Sequence, residues 1–217
     1  MKENIKGLLF DLDGVLVDTA VYHYQAWLRL AKTMGFEFSE KQNEELKGIS
    51  RMDSLDKVLG WGKVTKSDAE KLELATQKND WYVEMINKMT ADEILPGALE
   101  FLKSAHQAGY KIALGSASKN STIILKNTNI AHFFDVIVDG NSVSKSKPDP
   151  EVFLKGAELL HLEPKECVVF EDAAAGIEAA KRGGMKAIGI GDKNILTQAD
   201  KVVSGLDKLT IQDLKEL

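Results

Sequence analysis

GLLFDLDGVLVDT, residues 7–19, decides how this chain of 217 residues is read. An apolar run from Gly7 to Phe10 leads directly into Asp11 and Asp13, two positions apart, and then into Gly14. Such a run, without polar alternation, predicts a strand buried on both faces of a parallel sheet. In an extended segment alternate side chains share a face, so the two carboxyls are expected on one side, about 7 Å apart. An Asp-Gly pair behind a strand is commonly only a turn, which leaves Asp11 unexplained. A carboxylate at the end of a buried strand is costly unless a cation or hydrogen bonds compensate it, so the pair suggests a metal.

Working outward, five later segments resemble the opening one: KIALGSAS (111–118), DVIVDG (135–140), ECVVFED (166–172), MKAIGIG (185–191) and DKVVSG (200–205). Helical patterns alternate with them at 97–109, 120–130, 150–162 and 174–184. Strand alternating with helix predicts an α/β fold with a doubly wound, mostly parallel sheet. Residues 19 to about 90 break the alternation with four helical segments and no convincing strand. In open α/β sheets ligands sit beyond the carboxyl ends of the strands, where an insertion would roof the site. The expected organisation is an α/β core from residues 1–16 and 93–217 with a small helical cap from 17–92.

Composition narrows the function classes. With 44% hydrophobic and 28% charged residues the chain is an ordinary globular protein, and a net charge of -5 gives no footprint for nucleic acid or an anionic membrane. The single cysteine, Cys167, rules out an internal disulfide and a thiolate zinc site and reads as buried filler. No apolar run approaches the ~18 residues of a membrane span, and the stretch before Asp11 is too short for a signal-peptide core. A cytoplasmic monomer acting on a small molecule is expected.

The acids recur. VVFEDAAAG ends another apolar strand with Glu171 and Asp172, so two strands deliver carboxylates to one edge. Oxygen ligands without thiolates make the hard cation Mg²⁺ the first choice. In KIALGSASKNS a strand ends in Ser116, Ser118 and Asn120 just before a helix, where free N–H groups favour a phosphate, although turn and N-cap chemistry would account for these residues too. Lys147, in SKSKPDPE, is held in a set direction by Pro148 and can neutralise phosphoryl charge beside the acids.

DLDGVLVDT, GSAS, the lysine of SKPDP and the ED of VVFEDAAAG, in that order, resemble the four motifs of the haloacid dehalogenase-like superfamily of phosphotransferases, and the likeness covers essentially the full chain. The helical insertion is similar to that of the subclass with a small α-helical cap. Within it, DTAVYHYQAW (18–27), LKGISRMDSL (46–55), QKNDWYV (77–83) and SASKN (116–120) resemble the sugar phosphomutases. The resemblance implies that Asp11 is the nucleophile, forming an aspartyl-phosphate, and Asp13 the general acid/base. It implies Mg²⁺ held by Asp11 and Asp172, with Glu171 beside them and Asp13 contributing its backbone carbonyl. Ser116 would hydrogen-bond the transferring phosphoryl group and Lys147 would complete the charge cage.

The cap is where a mutase and a phosphatase should differ, because a mutase must keep water from the aspartyl-phosphate. By its face alone His23 heads an apolar stripe and reads as packing; the resemblance implies that it couples sugar binding to Asp13, with Thr19 in the same hinge. Arg51 could simply pair with Asp53 at a helix start; the resemblance assigns it to a distal phosphate, with Ser118, Lys119 and Asn120 on the core side and Gly48 and Ile49 along the sugar. Lys78 reads as reaching the sugar, with a solvated face of a charged helix nearly as good a reading. Trp27, Trp61 and Trp81 read as cap core, and His106, His132 and His161 receive no site. The implied activity interconverts β-D-glucose 1-phosphate and glucose 6-phosphate through β-glucose 1,6-bisphosphate. The rivals are a sugar-phosphate or phosphoglycolate-type phosphatase, a phospho-receiver domain, and a non-catalytic binding protein.

Overall fold

The computed structural model describes residues 4–217. Six strands, β1 (Gly7–Phe10), β2 (Lys111–Gly115), β3 (Val136–Val138), β4 (Cys167–Glu171), β5 (Lys186–Ile190) and β6 (Lys201–Val203), form one sheet in the order β3-β2-β1-β4-β5-β6. Every pairing is parallel. The apolar runs become strands because both of their faces are covered. Leu8, Phe10, Val168 and Phe170 pack on one side with Phe101 and Leu102 of α5 (Ala98–Gln107) and Ile124 of α6 (Ser121–Asn127). Leu9, Ala113 and Val169 pack on the other with Phe153 of α7 (Glu151–Leu159) and Ile177 of α8 (Ala174–Arg182). Phe10 and Phe170 stack at 4.4 Å, adding aromatic contact to burial worth roughly 25 cal/mol per Å² of apolar surface.

Four helices fill the stretch between β1 and α5: α1 (Ala20–Thr33), α2 (Glu40–Glu44), α3 (Arg51–Trp61) and α4 (Asp68–Ile86). Their starts follow local chemistry, since Ser39, Ser50 and Ser67 each accept a hydrogen bond from the third residue of the helix they open. Trp27, Leu30, Leu55, Val58 and Ala75 form a hydrophobic cluster of their own, separate from the sheet, with Trp61 and Trp81 packed against it. Ala26 of α1 and Tyr82 and Ile86 of α4 instead join the core beneath the sheet. The helical layer is therefore rooted in the sheet's core at the α1–α4 base and self-contained above it.

One local expectation needs correction. β1 ends at Phe10, so Asp11 and Asp13 lie in the loop behind the strand and strand alternation does not set their direction. The loop does: Gly14, at φ 82, donates its N–H to Val17 O, and Leu12 O accepts from the N–H groups of Leu16 and Val17. Leu12 is buried between the acids and anchors the turn. Among the described residues no helix is long and apolar enough to cross a membrane.

Candidate active site

Strand register brings the distant acids together. Phe10 is level with Phe170, and the Asp11 N–H donates to Phe170 O at 2.9 Å, so Asp11 emerges beside Glu171 at the carboxyl edge where the strand order reverses. Asp11, Glu171 and Asp172 offer carboxylate oxygens that all lie within 4.8 Å of one another. An all-oxygen set of this compactness fits a hard divalent cation. Gly14 is required here: a Cβ on it would stand 2.2 Å from Asp172 Oδ2.

Lys147 is buried and spans two of the acids, with Nζ 2.5 Å from Asp11 Oδ1 and 2.7 Å from Glu171 Oε2. Burial opposes its charge, but the two carboxylates outweigh burial and raise its pKa above the usual lysine value. Its peptide bond to Pro148 is cis. Burial, followed by repulsion from Asp11, pushes Glu171 up to about 8. Asp172 rises to about 6, again through burial first, with Lys47 pulling against it.

Asp13 stands outside the three-carboxylate group and has different company. Its Oδ1 accepts the Thr19 hydroxyl. Burial and the Asp11 charge push it up to about 7, which poises it to give and take a proton near neutrality.

A cavity of about 470 Å³ opens between the helical layer and the core and is lined by Asp11, Asp13, Lys147 and Asp172 at one end. His23, Gly48, Ile49, Arg51, Ser118, Lys119 and Asn120 also line it, so these predicted residues are brought together around one space. Ser116 and Glu171 do not line it and are buried behind it. Ser116 Oγ accepts the Ser118 N–H at 3.1 Å and Ser118 Oγ accepts the Asn120 N–H at 3.2 Å, the turn chemistry open to these residues from sequence. The Ser116 hydroxyl proton stays available to a neighbour. Asp53, the acid that sequence offered as a partner for Arg51, instead accepts from the hydroxyls of Ser50 at 2.6 Å and Ser146 at 2.8 Å.

Several contacts were not legible in the sequence. Lys78 is only 2% exposed, with Nζ 3.0 Å from His23 Nδ1 and 4.5 Å from the centre of the Trp27 ring, so the solvated reading of this lysine is wrong. Burial, then Arg51, drives its pKa down to about 7, and burial with Lys78 and Arg51 holds His23 well below its ordinary value. Lys47 pairs with Asp172 at 3.1 Å and Asn79 accepts from Asn120 at 2.9 Å, both linking helical layer to core. The i+4 spacing of Lys78 and Tyr82 on α4 was the available signal, but which face of α4 turns inward is a tertiary fact.

A carboxylate-lined crevice at the switch point of a parallel sheet, roofed by helices inserted after β1, defines a class. The chain belongs to the haloacid dehalogenase-like hydrolase family, whose model matches residues 8–190. Within that family it is 41% identical over 214 residues to a β-phosphoglucomutase of Bacillus subtilis strain 168, covering 98% of this chain and 95% of the relative. It is 30% identical to a fructose-1-phosphate phosphatase of Escherichia coli K12, over 88% of this chain and 98% of the relative. A crystal structure of β-phosphoglucomutase from Clostridium difficile superposes with a TM-score of 0.94 at 41% identity, covering 98% of this chain and 96% of that one.

Proposed function

We propose that this protein is a Mg²⁺-dependent β-phosphoglucomutase, interconverting β-D-glucose 1-phosphate and glucose 6-phosphate through β-glucose 1,6-bisphosphate as a cytoplasmic monomer. The observation that carries the reading is the cavity itself. It pairs an acidic phosphoryl-transfer end with a helical roof that carries the Arg51 guanidinium. A sugar carrying a phosphate at each end needs two anion sites, and a phosphatase acting on one phosphate needs only one. The 41% identity to a β-phosphoglucomutase over nearly the whole chain supports the same reading.

We assign the roles as follows. Asp11 attacks phosphorus and the P–O bond to the sugar breaks, leaving phosphate on the carboxylate; Asp13 gives the departing sugar oxygen its proton. In the return step Asp13 takes the proton from the accepting hydroxyl and the phosphoryl group leaves Asp11. Lys147 offsets charge on the transferring group and Ser116 hydrogen-bonds it. Asp11, Glu171 and Asp172, with the backbone carbonyl of Asp13, would hold Mg²⁺, which when bound neutralises phosphoryl oxygens. Arg51, with Ser118, Lys119 and Asn120, grips the distal phosphate, while Gly48 and Ile49 run along the sugar. His23 ties sugar arrival to Asp13. Residues 17–92 act as the cap that excludes water while the sugar is bound.

The test is a two-product assay. With Mg²⁺ and a trace of bisphosphate, purified protein should form glucose 6-phosphate from β-glucose 1-phosphate much faster than it releases inorganic phosphate, and Asp11→Asn should abolish both. Dominant phosphate release would replace the mutase by the phosphatase.

A further inference from the structure

α1 and α4 turn two ladders of side chains toward each other. Thr19, His23 and Trp27 follow one another at intervals of four, and so do Lys78 and Tyr82 on the opposing helix. Lys78 reaches His23, and the His23 and Tyr82 rings lie 4.2 Å apart between centroids. Tyr82 is thus clamped at 1% exposure, with its ring against the catalytic cavity.

Its hydroxyl is the anomaly. The Tyr82 oxygen is buried and has no hydrogen-bond partner among the described residues, whereas buried phenols ordinarily find one. Burial first, then Asp13, pushes the phenol's pKa well up, while the Thr19 hydroxyl, then Arg51, act the other way. The unpaired oxygen therefore lies in the field of Asp13 and within the influence of Thr19. Thr19 is itself fully buried, makes no capping bond at the start of α1, and spends its one hydroxyl proton on Asp13. Its oxygen keeps its acceptor capacity, since its one recorded side-chain hydrogen bond among the described residues is the donation to Asp13. Thr19 lies one helical turn before His23, whose ring is against Tyr82, so an unused donor on α4 and a buried hydroxyl on α1 belong to the same helix–helix contact.

We propose that Tyr82 is a positioning residue for Asp13: its hydroxyl donates to Thr19 Oγ1 as substrate tightens the site, fixing the Thr19 proton on the Asp13 carboxylate. Hydrogen bonds that serve a reaction are often long before substrate arrives and shorten in the working complex. A donor behind Thr19 also polarises its hydroxyl, so a Tyr82–Thr19–Asp13 chain holds the carboxylate more firmly than Thr19 alone. The proposal rests on the assignment of Asp13 as acid/base in the function proposed above.

Tyr82→Phe tests it, because the ring packing is kept and only the hydroxyl is lost. The expected result is a fall of about tenfold in kcat for sugar-phosphate interconversion, with KM and the rate of Asp11 phosphorylation by acetyl phosphate within about twofold of wild type. Thr19→Val should be impaired as well, and the double variant should be no slower than Thr19→Val alone, since both changes break one chain. A kcat for Tyr82→Phe within about twofold of wild type, or losses that multiply in the double variant, would overturn the proposal. A tyrosine that merely packs predicts that first outcome together with a raised Tm, because an unpaired buried hydroxyl has been removed. Were wild type to release phosphate instead of interconverting sugars, the mutase reading would fail. The same comparison, read on phosphate release, would still decide the role of Tyr82.

Discussion

Asp11 and Asp13, two positions apart, have opposite surroundings. Asp11 faces a lysine and two acids, whereas Asp13 faces a hydroxyl and a cavity. The raised carboxyls have a cost that pH should reveal. Asp13, Glu171 and Asp172 rise from 3.8, 4.5 and 3.8 to about 7, 8 and 6. Between its ordinary and its raised value each binds more proton in the folded than in the unfolded chain, so stability falls as pH rises through that window. His23, held low, opposes this as a single group below its ordinary 6.5, and Lys78, lowered to about 7, opposes it only above that pH. The Tm of metal-free protein should therefore fall between about pH 5 and about pH 7. Added Mg²⁺ should raise Tm, and by more at the higher pH; a Tm that climbs over this range would contradict the carboxyl assignment. Arg51 belongs to the same scale. Arg51→Lys keeps the charge but loses the two-pronged grip proposed for it, so KM for the bisphosphate should rise about tenfold or more while phosphorylation of Asp11 by acetyl phosphate is unchanged.

Among the elements, the β1–α1 connection carries the tightest constraint. Gly14 combines φ 82 with a backbone so close to Asp172 that a methyl group has no room. Gly14→Ala should cost about 1–3 kcal/mol of stability in urea unfolding. It should also weaken Mg²⁺ binding in calorimetry, since Asp172, already engaged by Lys47, has to turn away. Wild-type Mg²⁺ affinity in that variant would show that Asp172 is not held in place by this contact. The site was readable here only in part: the two ED and DxD pairs announce acids at strand ends, yet the loop, not strand alternation, points them.

On the scale of the whole molecule, polar links around the cavity join the helical layer to the core: Lys47 to Asp172, Asn120 to Asn79, and Ser146 to Asp53. Ser146 precedes Lys147, so the last link ties the loop that carries Lys147 to the start of α3. An exposed hydrogen bond contributes about 0.5–1.5 kcal/mol net, and 1.4 kcal/mol is tenfold in an equilibrium. Ser146→Ala should shift the balance toward an open cap by a few-fold, about two- to tenfold, seen as a larger radius of gyration in small-angle scattering without substrate and a raised KM with nearly unchanged kcat. An unaltered scattering curve and KM would mean the link does not govern closure.

The sequence by itself determined the strands and helices, the insertion after β1 and the acids at two strand ends, because these follow from local periodicity and from the cost of charge beside buried strands. Only the tertiary structure decided which side chains meet. Register set Asp11 beside Glu171, and the facing of α1 against α4 buried Lys78 on His23 and left the Tyr82 hydroxyl without a partner among the described residues. A charged helix such as α4 has no local feature that says which lysine will be desolvated, since that is fixed by the neighbour it packs against.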